Sequence, residues 1–283
     1  MHKNSFFFIC LAVLAAGAPP RSEAAVEIRK DYYADGTLRF EASYLSGALH
    51  GVTRMYSPDG FLEREEPYRK GKLDGVVLVY YSSGKLKGVG QFRLGTEDGI
   101  QETYYESGKL RNRTRYKDGM LEGLTEGYYE DGAPEKEVYF EKGLAQGEGK
   151  LYYPNGKLKT LAHIRDGRLA GKVKNFYESG SLKEECEYVN DAKQGPCKSY
   201  YENGRMQAVT PYSEGVRQGV QQQFQENGGL SREVLFDKGA SPAGEHAEDE
   251  ESVLKALNGG ETEEDFKPSA PLYGGAHGKG KAK

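Results

Sequence analysis

Aromatic and apolar side chains return along this chain at one fixed interval. Gly36, Gly60, Gly84, Gly108, Gly132, Gly156, Gly180, Gly204 and Gly228 stand 24 residues apart, giving nine copies of one unit with no insertion or deletion. Such a period marks a repeat protein. Four residues before each glycine the side chain is always aromatic: Tyr32, Tyr56, Tyr80, Tyr104, Tyr128, Tyr152, Phe176, Tyr200 and Phe224. Three before it tyrosine dominates, with Ser57 and Gln225 as exceptions. Two after it comes Leu38, Leu62, Leu86, Leu110, Pro134, Leu158, Leu182, Met206 or Leu230, and eight after it an aromatic again, such as Phe92, Tyr116 and Phe140, with Ile164 once.

Further glycines, such as Gly71 with Gly75 and Gly119 with Gly123, divide each unit into two runs of about seven residues. Runs of that length rich in Tyr, Val and Thr, bounded by Asp-Gly, Asn-Gly or Ser-Gly, predict strands joined by tight turns, and the glycine spacing excludes helices. Polar residues three after the repeat glycine (Arg39, Glu63, Lys87, Arg111) alternate with apolar ones two and eight after it, which predicts one wet and one packed face. The fold class is therefore all-β: an elongated antiparallel meander of about eighteen strands, which at ~4.8 Å per strand extends roughly 85 Å. The invariant aromatic row containing Tyr104 is expected in the core. Its neighbours Tyr33, Tyr81, Tyr105, Tyr129, Tyr153, Tyr177 and Tyr201 are expected on the other face, either as a binding stripe or as cover for a thin sheet.

Units such as Tyr68-Arg69-Lys70-Gly71-Lys72-Leu73-Asp74-Gly75 and Tyr44-Leu45-Ser46-Gly47-Ala48-Leu49-His50-Gly51 resemble MORN repeats, and Tyr-Tyr-x-x-Gly-x-Leu resembles the bacterial MORN-variant group labelled antitoxin-like. The resemblance covers residues 27–239. The chain departs from the usual unit in having no Trp and a single Leu-His-Gly, at His50. The resemblance implies stacked hairpins serving as a scaffold, and no single activity.

Outside the array the composition changes. Residues 1–24 pair His2 and Lys3 with the apolar run Phe6 to Ala16 and the break Gly17-Ala18-Pro19-Pro20, as an export signal does. Cleavage is expected before Ala25, with the bond after Ala18 second. Residues 25–239 then form the repeat array. Residues 240–283 carry nine acids against five lysines and read as a largely disordered acidic tail, with a short helix over Glu248 to Leu257 that presents Val253, Leu254 and Leu257 on one side. That tail reads either as a solubiliser or as a motif that docks on a partner or folds back over the last strand. The array itself is near neutral, so a nucleic-acid groove and a polybasic membrane surface are not expected.

Candidate chemistry is sparse. Cys186 and Cys197 fall at positions held by small residues in other copies, opposite each other on adjacent strands, where they form a disulfide or remain two buried thiols. His50 and His163 lie in different repeats, so no metal or other cofactor is expected. Glu185 with Glu187 reads as a solvated strand face rather than a catalytic pair, and no enzymatic function is expected. Asn112-Arg113-Thr114 has the form of a glycosylation sequon. The reading is an exported, periplasmic, outer-envelope or secreted scaffold that binds a protein through a sheet face, its edge strands or its tail, with homo-oligomers through the edges. Two alternatives are an antitoxin or immunity protein that neutralises a toxin, and a binder of envelope glycan or lipid.

Overall fold

The structure is a computed structural model that describes residues 25–238, the helix Glu251–Asn258 and Phe266. The segment read as an export signal, the bonds read as its cleavage sites and most of residues 240–283 lie outside those residues.

Two kinds of turn alternate along the array. At the repeat glycine, the Gly108 N–H donates to the Tyr105 carbonyl at 2.8 Å and the Tyr105 N–H to the Lys109 carbonyl at 2.9 Å. Gly108 has φ 86°, a conformation glycine adopts without a Cβ clash. An Asp or Asn one residue earlier in some copies fixes the turn further: Asn155 Oδ1 accepts the Lys157 N–H at 3.0 Å. At the second turn two consecutive residues have positive φ, as at Asp118 (49°) and Gly119 (80°). Two positive φ values are the mark of a type I′ turn, whose twist matches that of the flanking strands.

These turns join one antiparallel sheet in which each strand pairs with its neighbours in sequence. The sheet has 22 strands where the periodicity predicts about eighteen. The difference arises in four repeats whose second strand breaks after one short piece, as between Lys72–Leu73 and Gly75–Tyr80. There the Asp74 N–H turns back to the Pro67 carbonyl at 2.9 Å instead of continuing the ladder. The second turn also ties successive repeats together: the Gly143 N–H reaches the Leu121 carbonyl at 2.9 Å.

Every repeat has a register shift beside its repeat-glycine turn, as between Leu110 and Asn112. This bulge sets which side chains share a face. Tyr104 pairs with Leu110, whereas Thr103 pairs with Asn112 and points the other way. The invariant aromatic row therefore does not form the core. Tyr104 and its equivalents, with Leu110 and its equivalents, are half-buried on the opposite face, except at the ends of the array, where Tyr32 is 53% and Leu230 54% exposed. A run that alternates strictly on paper loses its phase at the inserted residue.

The packed face carries Phe92, Tyr116, Phe140, Ile164, Tyr188 and Phe236, with Val77, Val138, Ala162 and Val173 between them, all buried. Fully burying one such side chain contributes about 1.5–3 kcal/mol. Its apolar residues form two clusters. One contains Leu73, Val77, Val79 and Phe92; the other runs from Val138 to Cys197. Between them lies a buried polar strip of Gln101, Thr103, Asn112 and Thr114, in which Asn112 Nδ2 donates to Thr103 Oγ1 at 3.1 Å.

The C-terminal helix Glu251–Asn258 lies against the strands Pro134–Glu141 and Leu144–Tyr152, with Leu257 buried in the larger cluster and Val253 and Leu254 packed on it. Phe266 is buried in the smaller cluster. The helix and Phe266 thus lie on the middle of the packed face, not over the last strand Leu230–Phe236.

Candidate interaction surfaces

The tyrosines that precede each repeat glycine by three residues have a uniform geometry. The Tyr33, Tyr81, Tyr105, Tyr129, Tyr153, Tyr177 and Tyr201 hydroxyls donate to the carbonyls of Tyr56, Tyr104, Tyr128, Tyr152, Phe176, Tyr200 and Phe224, at 2.7–2.8 Å. Each bond crosses from one repeat to the next. Cations cover several of the rings: the Arg111 guanidinium lies 5.5 Å from the Tyr105 centroid and the Lys183 ammonium 5.8 Å from that of Tyr177. The row offered by the sequence as a binding stripe therefore has its hydroxyls engaged within the sheet. Its two exceptions are informative. Gln225 sits in the last copy, beyond which no further repeat follows, and Ser57 spends its hydroxyl locally, accepting the Phe61 N–H at 3.1 Å.

The open face has three parallel rows. The first is the aromatic row with Tyr80, Tyr104, Tyr128 and Tyr152. Desolvation, then hydrogen bonding to Glu102, pushes the Tyr104 phenol up to about 12; its hydroxyl donates to Glu102 Oε2 at 2.5 Å. Tyr152 is likewise pushed to about 12, by desolvation and by the nearby Glu137 charge. The second row is a cross-strand ladder of opposite charges. Arg113 approaches Glu102 at 2.9 Å and Glu126 at 3.8 Å, and Arg54 approaches Glu65 at 2.8 Å and Glu41 at 3.9 Å. The hydrogen bond from Tyr104, followed by that from Arg113, holds the Glu102 carboxyl below its ordinary range.

The third row is exposed and, in the first half of the array, apolar except at Gln91 and Arg115. Val52 (38%), Val76 (48%), Ile100 (41%), Leu124 (45%) and Tyr139 (48%) lie along it. Register places Val52 beside Pro67, Val76 beside Gln91, Ile100 beside Arg115 and Leu124 beside Tyr139. From Val52 to Tyr139 the row crosses eight strands, roughly 34 Å at the usual strand spacing. The same row turns polar in the next two repeats, with Glu148 beside His163 and Lys172 beside Glu187, and is apolar again at the end of the array, with Val220 (48%) beside Leu235 (66%). An apolar strip rimmed by paired charges has the make-up of a protein-binding patch. Sequence reasoning missed this stripe, although Val52, Val76, Ile100 and Leu124 already stand 24 residues apart. The signal was hidden because the row is apolar in only part of the array.

Cys186 and Cys197 meet across the strands Leu182–Val189 and Ala192–Tyr200, Cα atoms 4.3 Å apart and sulfurs in bonding contact, both buried. The Glu184 carboxylate and the two sulfurs lie within 4.8 Å of one another. With the sulfurs bonded to each other no thiolate faces that carboxylate, and thiolates are what a metal would need there. Glu185 and Glu187 lie on the open face, Glu185 beside Lys172 at 3.2 Å and Lys174 at 3.4 Å, as a solvated charge ladder requires. His50 and His163 share no cluster among the described residues; His163 Nδ1 lies 3.0 Å from the Lys172 carbonyl. A shallow polar depression lined by Arg165, Asp166, Arg168 and Glu187 is open to solvent. Among the described residues no helix is long and apolar enough to cross a membrane.

No curated protein matches the chain. Two solved structures, the TcdB2-TccC3-Cdc42 and TcdB2-TccC3-TEV crystal structures, align with 75% and 76% of it at 13% and 12% identity, each with a TM-score of 0.20. The chain spans 14% of the length of those solved chains, and at that TM-score the likeness carries no argument. The profile of the MORN repeat variant matches six consecutive units, at residues 73–93, 97–118, 121–142, 145–166, 169–190 and 193–214. Those units coincide with the hairpins stitched by the tyrosine hydroxyls, and the chain belongs to the MORN repeat variant family.

Proposed function

We propose that the protein is an exported, non-enzymatic scaffold that binds another protein through the first half of its open face. Repeats of this family mediate protein–protein or protein–lipid interaction in general. The observation that carries the protein reading is the exposed stripe Val52, Val76, Ile100, Leu124 and Tyr139, bordered by the ladder of paired charges. Burying such a stripe supplies the apolar centre of an interface, and the ladder supplies its polar rim. Clustered Lys and Arg, which an anionic bilayer or a nucleic acid needs, are replaced here by alternating signs.

The test is proximity labelling in the source cell with the full chain and an Ile100→Lys/Leu124→Lys variant whose β-sheet spectrum matches that of the parent. A reproducible protein neighbour, lost in the variant, is the expected result. Labelling that survives the substitutions, or that finds no reproducible neighbour while liposomes or glycans retain the chain, overturns the proposal.

A further inference from the structure

Part of the C-terminal segment lies on the packed face, and glycines mark where. Among the described residues four glycines lie inside strands without a positive φ: Gly88, Gly90, Gly127 and Gly149. No turn requires them, and glycine weakens a strand interior unless something must approach the backbone closely. A Cβ at Gly127 would meet the Lys136 side chain at 2.8 Å. The other three lie under the C-terminal segment. A Cβ at Gly88 or Gly90 would stand 2.7 Å from the Phe266 ring, and one at Gly149 would stand 2.9 Å from the Ile164 Cδ1 methyl and 3.0 Å from a Leu257 methyl. The equivalent packed-face positions in other copies carry side chains, such as Asn112, Thr114 and Val173. Three breaks in the repeat pattern therefore open two slots: Gly88 and Gly90 together make room for Phe266, and Gly149 makes room for Leu257.

The two slots sit in the two apolar clusters, one on each side of the polar strip. From the strand bearing Gly149 to the strand bearing Gly88 there are five strand spacings, roughly 24 Å. The nine residues from Leu257 to Phe266 reach at most about 32 Å when extended. The spacing of Leu257 and Phe266 in sequence thus matches the separation of the slots across the sheet. The sequence between them carries Glu261, Glu263, Glu264 and Asp265.

We infer that the helix side chains Val253, Leu254 and Leu257, together with Phe266, are a resident, exchangeable ligand of the packed face, and that the site's partner in trans is a peptide of the same chemistry: a short amphipathic helix with apolar residues at i, i+1 and i+4, an acidic spacer, and an aromatic nine residues on. The anchor is weak enough to exchange because an eight-residue helix has little stability of its own, so the contacts at Val253, Leu254, Leu257 and Phe266 carry the docking. The tether makes the tail a competitor at an effective concentration on the order of millimolar. This inference concerns the packed face and stands apart from the open-face proposal, so either can fail without the other.

The probe is a fluorescent synthetic peptide spanning residues 248–268, titrated into the full chain. Wild type is expected to bind it weakly. A Leu257→Asp/Phe266→Ala chain, whose own tail can no longer compete, is expected to bind it about 10- to 100-fold more tightly. Adding Gly149→Val to that variant fills a slot and is expected to abolish binding. Because that substitution can also disturb the strand, a control peptide with alanine in place of both anchors is titrated in parallel and is expected not to bind. Equal affinity for wild type and the anchor variant, no binding to either, or binding of the control peptide overturns the inference. A concentration-dependent dimer of wild type that is lost in the anchor variant also overturns it, because the tail would then occupy a second copy.

Discussion

Replacing Tyr105 by Phe removes one oxygen and leaves the ring in place, which isolates the hydroxyl that joins the fourth repeat to the fifth. That hydroxyl donates to the Tyr128 carbonyl at 2.7 Å. The residue paired with Tyr128 is Pro134, which has no N–H to offer in its stead. The carbonyl therefore loses a donor that the opposite strand cannot replace, a loss of about 1–3 kcal/mol when an acceptor is left without a partner. Tyr153→Phe is the matched control. Its hydroxyl reaches the Phe176 carbonyl at 2.7 Å, but Phe176 is paired with Leu182, which retains its N–H. Loss there is expected to be the net value of an ordinary hydrogen bond, about 0.5–1.5 kcal/mol. In a linear array the effect falls on the interface between neighbouring repeats. Amide hydrogen exchange across residues 105–140, together with urea unfolding, reads both quantities. The reasoning is refuted if neither variant changes stability, or if Tyr153→Phe costs as much as Tyr105→Phe.

Reducing the Cys186–Cys197 contact, or changing both residues to serine, should lower stability by about 2–3 kcal/mol through the short ring it closes; denaturation with and without reductant measures this, and a mass showing two free thiols in the native protein would remove its premise. Stability should fall as the pH rises from the ordinary tyrosine range toward about 12, because desolvation and Glu102 keep Tyr104 protonated in the folded chain while the unfolded chain ionises earlier. Ultraviolet titration of the parent against Tyr104→Phe checks the assignment. Arg113→Ala breaks contacts with Glu102 and Glu126 on a half-exposed surface, so it should cost less than about 1 kcal/mol and cost less still in high salt.

The repeat period, the two turns and the antiparallel meander were all legible, because a glycine that must adopt positive φ marks its position without tertiary context. The assignment of faces was not. Tyr104 is invariantly aromatic and reads as core, yet it alternates in phase with Glu102 and not with the buried Gln101 and Thr103, so it lies on the open face and binds Glu102; the bulge between Leu110 and Asn112 brings Leu110 to that same face. The row of Tyr105 tolerates exchange in two copies and reads either as a binding stripe or as cover for the sheet, whereas the Tyr105 hydroxyl holds the next repeat. A one-residue insertion in a ladder is invisible to periodicity because both strands keep their spacing. Gly88, Gly90 and Gly149 were visible as departures from the repeat, but only the docked tail supplied their physical reason.

The central claim is that a partner protein lies on the apolar stripe of the open face. Photo-cross-linking residues placed singly at Val76, Ile100 and Leu124, and at Lys172 and Glu187 farther along the same row, test it directly. The account predicts protein adducts from the first three positions and none from the last two. Adducts of equal yield from all five, or from Lys172 and Glu187 alone, would contradict it.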